Sequence, residues 1–231
     1  VPPCFDVKMH KEWTIDKMRR QFSDYGNKKE NMAAILSQDT DPIPKVWNAG
    51  VIVEDPLIPY QVMHNGMRVK KFGYGGAITA SLIYGLKGHH ETQEERVFYE
   101  VLKYMPAGAT MIELGAAWGY YSLWFMHAVM QARAILVEPF AEELQVGKDN
   151  FRINGKEGTF IHGYVGTPPT NETNLYGRKL GVDELLAEQG LSHVHLLHAD
   201  IQGSEGDMLL SAENSLKRQI IDYFFISTHS E

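Results

Sequence analysis

Hydrophobic and polar positions follow two different rhythms along the chain, which change near residue 88. The first part lacks a regular alternation of strands and helices. It contains a charged segment at 14–36 that favours a helix, a loop-like segment at 37–44, and two short apolar runs flanking Asn65 and Gly66. An Asn-Gly pair between such runs is typical of a two-residue hairpin turn. We therefore expect residues 1–88 to form an accessory region with a helix and a β-hairpin.

From about residue 92, short apolar runs alternate with amphipathic segments. Strands that alternate with helices are typical of a parallel sheet covered by helices on both faces. In such a fold the carboxyl ends of the strands meet at one edge, where ligands bind. Thr92 with Glu95, and Ser204 with Asp207, are placed to cap the first and last helices. The pattern predicts strands at 110–114, 134–137, 159–164, 194–199 and 220–227, and helices at 93–104, 120–130, 141–150, 182–188 and 204–215.

Composition narrows the classes of partner. The 231 residues include 29 acidic and 22 basic side chains, for a net charge of −7. That balance disfavours nucleic acid as the main partner, because phosphate backbones require clustered positive charge. Cys4 is the single cysteine, which fits a reducing compartment. The sequence shows neither a long apolar span nor a leader-like segment, so we expect a cytoplasmic protein without a membrane span.

The segment at 111–121 carries the most specific signal. Glu113 ends an apolar run, and Gly115, Ala117 and Gly119 follow at alternate positions before a helix. Small residues let backbone N–H groups and the helix N-terminus approach a ligand closely. A dinucleotide site would read G-x-G-x-x-G, whereas this spacing is typical of sites for S-adenosylmethionine (SAM). An ordinary strand-turn-helix corner is the alternative.

Acidic side chains also follow two later strands. Glu138 and Pro139 stand where a carboxylate can accept hydrogen bonds from the ribose hydroxyls of a nucleoside, and a helix-capping role is the alternative. Asp200 would be costly to bury without a partner, and a sulfonium cation is one such partner. A local cap or ion pair is the alternative for Asp200. Val165, at the end of the third strand, is placed to line an adenine slot, or else only packs in the core.

Histidines supply the remaining candidate chemistry. His229 follows the last strand, and its ordinary pKa near 6.5 suits removal of a proton from a substrate hydroxyl. The alternative is a solvated residue at the chain end. His193 and His195 share one strand face while His198 lies on the other, so we predict no metal site there. His89 and His90 favour a loop that closes over the cofactor.

Taken together, these motifs resemble the FkbM family of SAM-dependent methyltransferases. The resemblance covers about residues 88–231, and its most specific element is the Asp-Ile-Gln-Gly-Ser-Glu run at 200–205. It implies a Rossmann-like class I fold, SAM as methyl donor, and transfer to a hydroxyl of a sugar, glycan or natural product. The motifs that carry it lie at 113–122, 137–139, 150 and 154, 180–186, 200–205 and 226–229.

The resemblance also implies roles for single residues. Asp200 would lie near the reacting centre. Independently of the resemblance, His229 and Asp200 are the candidates for a general base, and the pKa of histidine favours His229. Two departures concern the first motif, since the family usually has Asn at the position of Ala117 and often Asp at that of Glu113. The residues expected to bind the cofactor are Glu91, Glu113, Gly115, Ala117, Gly119, Tyr120, Glu138, Pro139, Val165 and Asp200.

The resemblance places a SAM-binding domain at 89–231, without the antiparallel hairpin that usually ends this fold. Residues 1–88 and the segment 167–180, with Tyr176 and Arg178, are expected to face the acceptor. Two other functions stay open. A nicotinamide-dependent oxidoreductase is disfavoured by the glycine spacing and by the lack of a Tyr-x-x-x-Lys motif. A non-catalytic binding module with the same fold would have to lack cofactor affinity despite its acids.

Overall fold

The computed structural model describes residues 37–167 and 173–228, which belong to two compact units. The first unit lies within Val1–Glu100 and the second within Val101–Glu231. The helix expected at 14–36 lies outside the described residues, as does His229. Residues 37–44 form turns and loop, as the sequence predicts.

The first unit contains a small antiparallel sheet that confirms the predicted hairpin. Its strands are β1 (Ile52–Val53), β2 (Tyr60–Val62) and β3 (Arg68–Lys70), and β2 pairs with both neighbours. The loop between β2 and β3 is one residue longer than expected. The Met63 N–H donates to the Met67 carbonyl at 2.7 Å, and Gly66 between them has a φ of +88°. A glycine in this conformation closes a three-residue hairpin loop rather than a two-residue one.

Two helices follow in the chain, and the patterns predicted one of them. Helix α1 (Gly76–Gly85) was missed because its small and apolar residues give no one-sided stripe. Helix α2 (Thr92–Leu102) was predicted over 93–104. Its expected Thr92 cap is wrong: the Glu95 carboxylate accepts from the N–H groups of His90 at 2.8 Å and Glu91 at 3.2 Å. The carboxylate therefore caps the helix start one turn back from its own position.

The second unit is a doubly wound α/β fold, as predicted. Its sheet has the order β10-β9-β4-β5-β6-β8-β7, and every neighbouring pair is parallel except β7 with β8. The strands are β4 (Thr110–Leu114), β5 (Arg133–Glu138), β6 (Thr159–Val165), β7 (Thr173–Asn174), β8 (Gly177–Leu180), β9 (Val194–Ala199) and β10 (Ile221–Ile226). The five predicted strands are all present. Strands β7 and β8 were missed, since the short run at 177–180 has a polar pair at its centre.

Helices cover both faces of this sheet. Helices α3 (Tyr120–Ala128) and α4 (Ala141–Ile153) pack on the face that carries Leu136. The other face carries Ile112 and Ile135 and packs against α5 (Val182–Glu188) and the helices after β9. The single helix expected at 204–215 is two, α6 (Glu205–Ser211) and α7 (Glu213–Lys217), and the Ser204 side chain makes no capping hydrogen bond.

The strand order reverses between β4 and β9. From β4 the chain proceeds to β5 and β6 on one side, and later returns to β9 and β10 on the other. In open α/β sheets the crevice at such a reversal, beyond the carboxyl ends of the strands, is where ligands bind. The residues just after β4, β5 and β9 are therefore the candidates for a ligand site.

Candidate functional site

The turn after β4 is wound tightly against the end of β5. Gly115 and Gly119 have φ values of +75° and +70°, and Ala117 between them has +43°. The N–H groups of Gly115 and Ala116 both donate to the Val137 carbonyl, at 2.9 and 3.0 Å. Left-handed backbone is costly for a residue with a side chain, so the glycines at either end suit this path.

Gly115 also sits where the ends of β4 and β9 touch. A Cβ added to Gly115 would lie 1.9 Å from the Asp200 carbonyl oxygen. The Asp200 N–H in turn donates to the Leu114 carbonyl at 3.0 Å. The backbone after β9 is thus fixed against the glycine turn at the point of strand reversal.

Glu113 is a buried carboxylate beneath the start of α3, with 2% of its surface exposed. Its Oε2 accepts from the Ser122 N–H at 3.0 Å, in the first turn of the helix. A negative charge there is stabilised by the unpaired N–H groups and by the helix dipole. The acid therefore fixes the helix whose N-terminus faces the crevice.

His198 is a neighbour of Glu113 that the sequence analysis did not assign. Its Nδ1 lies 3.6 Å from Glu113 Oε1, and its ring stacks on Phe225 and contacts Tyr121, with centroid distances of 5.0 and 4.7 Å. Glu113 pairs with His198 across β4 and β9, so the two side chains share one face. Strand register would have revealed this pair, but register is not readable from one strand alone.

Glu138 connects the glycine turn to the loop that follows β5. It is 3% exposed, its Oε2 accepts from the Ala117 N–H and its Oε1 from the Phe140 N–H, both at 2.7 Å. Burial raises the pKa of Glu138 to about 7, although these two hydrogen bonds act to lower it. The carboxyl therefore changes charge near neutral pH while holding the turn.

The turn also rests on buried aromatic and amide groups. Tyr120 is 1% exposed and stacks on Trp118 at a centroid distance of 5.2 Å. The buried Asn150 side chain donates to the Trp118 carbonyl at 2.8 Å. Asn150 therefore anchors the turn from α4.

The structure gathers most of the predicted cofactor residues, and separates a few. Glu113, Glu138 and Asp200 follow or end neighbouring strands around the glycine turn. Pro139 lies beside them, and its carbonyl accepts from His162 Nε2 at 2.9 Å. Val165 is buried in the apolar core, so its predicted contact with adenine stays a prediction. Glu91 belongs to the first unit, and its cofactor role likewise stays a prediction.

The histidine pairs have local partners. His89 and His90 lie in the loop before α2, and their buried rings both bond the Glu95 carboxylate, His90 at 2.9 Å. That this loop closes over the cofactor stays a prediction. His195 Nδ1 accepts from the Thr110 N–H at 3.0 Å, and His193 Nε2 lies 2.9 Å from Asp222 Oδ1. That these histidines bind no metal stays a prediction.

Comparison with known proteins finds similarity among solved structures. No family model and no curated protein matches the chain. It is similar to M. capricolum TrmK in complex with S-adenosylhomocysteine (SAH), at 12% identity and a TM-score of 0.40 over 58% of this chain and 52% of that one. It is also similar to the C-terminal domain of precorrin-6Y C5,15-methyltransferase from Rhodobacter capsulatus, at 16% identity and a TM-score of 0.38 over 53% of this chain and 55% of that one. A third similar structure is a SAM-dependent methyltransferase from Aquifex aeolicus, at 13% identity and a TM-score of 0.33 over 60% of this chain and 67% of that one.

The chain thus spans about half the length of the first two structures it matches. In the described residues no helix is long and apolar enough to cross a membrane.

Proposed function

We propose that the chain is a SAM-dependent methyltransferase of the class I type. The observation that supports this best is the pair of buried acids, Glu113 and Glu138, which organise one glycine turn at the strand reversal. An adenosine cofactor would present its methionine part to the turn and its ribose hydroxyls to Glu138. A dinucleotide would instead place its pyrophosphate on the turn, where a buried carboxylate 2.7 Å from Ala117 N is unfavourable.

The reaction requires mainly that the methyl donor and the acceptor are held in the correct relative position. Methyl transfer from a sulfonium requires the acceptor atom in line with the S–CH₃ bond at about 3 Å, with water excluded. The glycine turn and Glu138 would hold the cofactor, and Asp200, fixed by its backbone to the end of β4, would face the reacting centre. These roles for the residues are part of the proposal.

The finer proposal is O-methylation of a hydroxyl on a sugar, glycan or natural product, as in the FkbM family. It rests on the motif at 200–205, which directly follows β9. Tyr176 remains available to an acceptor: it is 46% exposed and contacts the Phe140 ring edge-on at 5.7 Å. The Arg178 guanidinium binds the Glu188 carboxylate through both terminal nitrogens, one at 2.6 Å, so contact with an acceptor would compete with this ion pair.

A thermal-shift comparison tests the proposed cofactor. Ligand at 100 times its Kd stabilises a protein by about 2.7 kcal/mol, which raises the Tm of a domain this size by several degrees. We expect such a shift with SAH and none with NADH at the same concentration. A shift with NADH alone would favour the oxidoreductase, and no shift with SAM, SAH or NADH would favour a non-catalytic module. A panel of hydroxylated acceptors with methyl-labelled SAM then tests the substrate class.

His229 is the proposed general base, by its position after β10. A base contributes about 10²–10⁴-fold to a proton-transfer step. We expect His229→Ala to lower kcat by that factor with the accepted substrate while the Kd for SAM stays within twofold. Equal turnover in the variant and the parent protein would remove His229 from the mechanism and leave Asp200 as the candidate.

A further inference from the structure

The turn after β9 folds one side chain back over Asp200. Gln202 has a φ of +51° and Gly203 a φ of +97°, so the backbone takes two successive left-handed steps. In a continuing strand, side chains two residues apart stand about 7 Å from each other. Here the Gln202 carboxamide reaches back, and its Nε2 donates to Asp200 Oδ1 at 3.2 Å.

We propose that Gln202 is a positioning residue that fixes the direction of the Asp200 carboxylate toward the cationic sulfur of SAM. This inference rests on the proposed function. The main chain of Asp200 is already held by Leu114 and by the close approach of Gly115. These backbone contacts do not fix the rotation of the Asp200 side chain, and a donor on Oδ1 restricts that rotation. The direction of Oδ2, the other carboxylate oxygen of Asp200, is then fixed.

The backbone conformation of Gln202 is unusual for glutamine, but the contact with Asp200 is what distinguishes it from other turn residues. Left-handed φ disfavours glutamine, because its Cβ crowds the backbone, whereas glycine or asparagine fits more easily. Gln131 and Gln219 adopt the same conformation, with φ values of +58° and +53°, in exposed turns away from the strand ends of the site. They share the backbone feature with Gln202 but not the carboxylate contact. They are therefore matched controls.

Comparing SAM with SAH distinguishes a residue that positions the Asp200 carboxylate from one that only supports the fold. SAM carries a positive sulfur and SAH a neutral one, so a directed carboxylate favours SAM over SAH. A turn that only supports the fold affects the two ligands alike. The ratio of the two dissociation constants therefore reports the direction of the Asp200 carboxylate.

The experiment measures the Kd of SAM and of SAH by calorimetry for the parent chain, Gln202→Ala, Gln202→Asn and Gln131→Ala. We expect Gln202→Ala to weaken the binding of SAM about tenfold and that of SAH less than twofold. Gln202→Asn should recover part of the SAM affinity, and Gln131→Ala should change the affinity for neither ligand. Equal weakening of both ligands by Gln202→Ala, or no change in either, overturns the positioning role while the cofactor assignment stands. A parent chain that binds neither ligand overturns the proposed function, and this inference with it.

Discussion

Gly115→Ala should destabilise the second unit more than any other single methyl addition at its glycine turn. The added Cβ would lie 1.9 Å from the Asp200 carbonyl oxygen, and backbone cannot withdraw as a flexible side chain does. The position also has a φ of +75°, which any residue with a Cβ adopts at a cost. Separating the ends of β4 and β9 should cost roughly 3–5 kcal/mol, in the range of the most severe single substitutions. Urea or thermal unfolding followed by circular dichroism measures this loss.

Gly190→Ala is the matched control for Gly115→Ala. Gly190 has a φ of +61°, but a Cβ added there would meet no atom within 4 Å. This variant should be destabilised only by the cost of left-handed backbone for alanine, about 1–2 kcal/mol. Equal losses in the two variants would show that the strand ends do not meet as described. A stable Gly115→Ala protein that still binds SAH would also contradict the proposed cofactor site.

The parallel sheet could be predicted because burial on both faces leaves a strong signal. Runs such as Thr110–Leu114 and Val194–Ala199 are largely apolar and are bounded by turn residues. Helix α1 lacked an amphipathic stripe, and β8 is four residues long with two basic residues inside. Short elements of this kind depend on their neighbours, which the local sequence does not identify.

The candidate site was predictable to the level of which residues end each strand. Topology then brings Glu113, Glu138 and Asp200 to one edge, whatever their separation in the chain. The partners of each acid were not predictable, because they depend on register and on backbone direction. Neither the pair of Glu113 with His198 nor the bond from Ala117 N–H to Glu138 has a sequence signature.

Ala117 has a backbone conformation that is unusual for a residue with a side chain. Its φ of +43° lies in the left-handed region, where asparagine is among the better tolerated residues with a side chain. This backbone conformation is strained for alanine, and the hydrogen bond from the Ala117 N–H to Glu138 helps to stabilise it.

Glu138→Gln should weaken SAH binding by about 100-fold, equivalent to about 2.7 kcal/mol. An amide has one oxygen to offer where the carboxylate has two, so its NH₂ group would face the N–H of Ala117 or Phe140. A buried donor left without an acceptor destabilises the glycine turn by about 1–3 kcal/mol, and a turn displaced to relieve this no longer has the geometry that would receive SAH. The ribose hydroxyls would also lose a charged acceptor. Calorimetric titration with SAH measures the change.

The pH dependence of binding gives Glu138→Gln its sharpest test. Burial raises the pKa of Glu138 to about 7, so SAH affinity should rise as much as about tenfold between pH 6 and pH 8 as the carboxyl ionises. The same raised pKa means that the folded state holds the proton more tightly than the unfolded one. The contribution of Glu138 to stability therefore falls as pH rises from about 4.5 to about 7.

Glu142→Gln is the control, since Glu142 is an exposed acid in the first turn of α4. It should keep both the SAH affinity and the rise with pH, whereas Glu138→Gln should bind weakly at every pH with a flat profile. If Glu138→Gln keeps the parent profile, another group controls the titration. If it also keeps the parent affinity, Glu138 is a cap of the following loop alone, and the nucleoside end of the cofactor lies elsewhere.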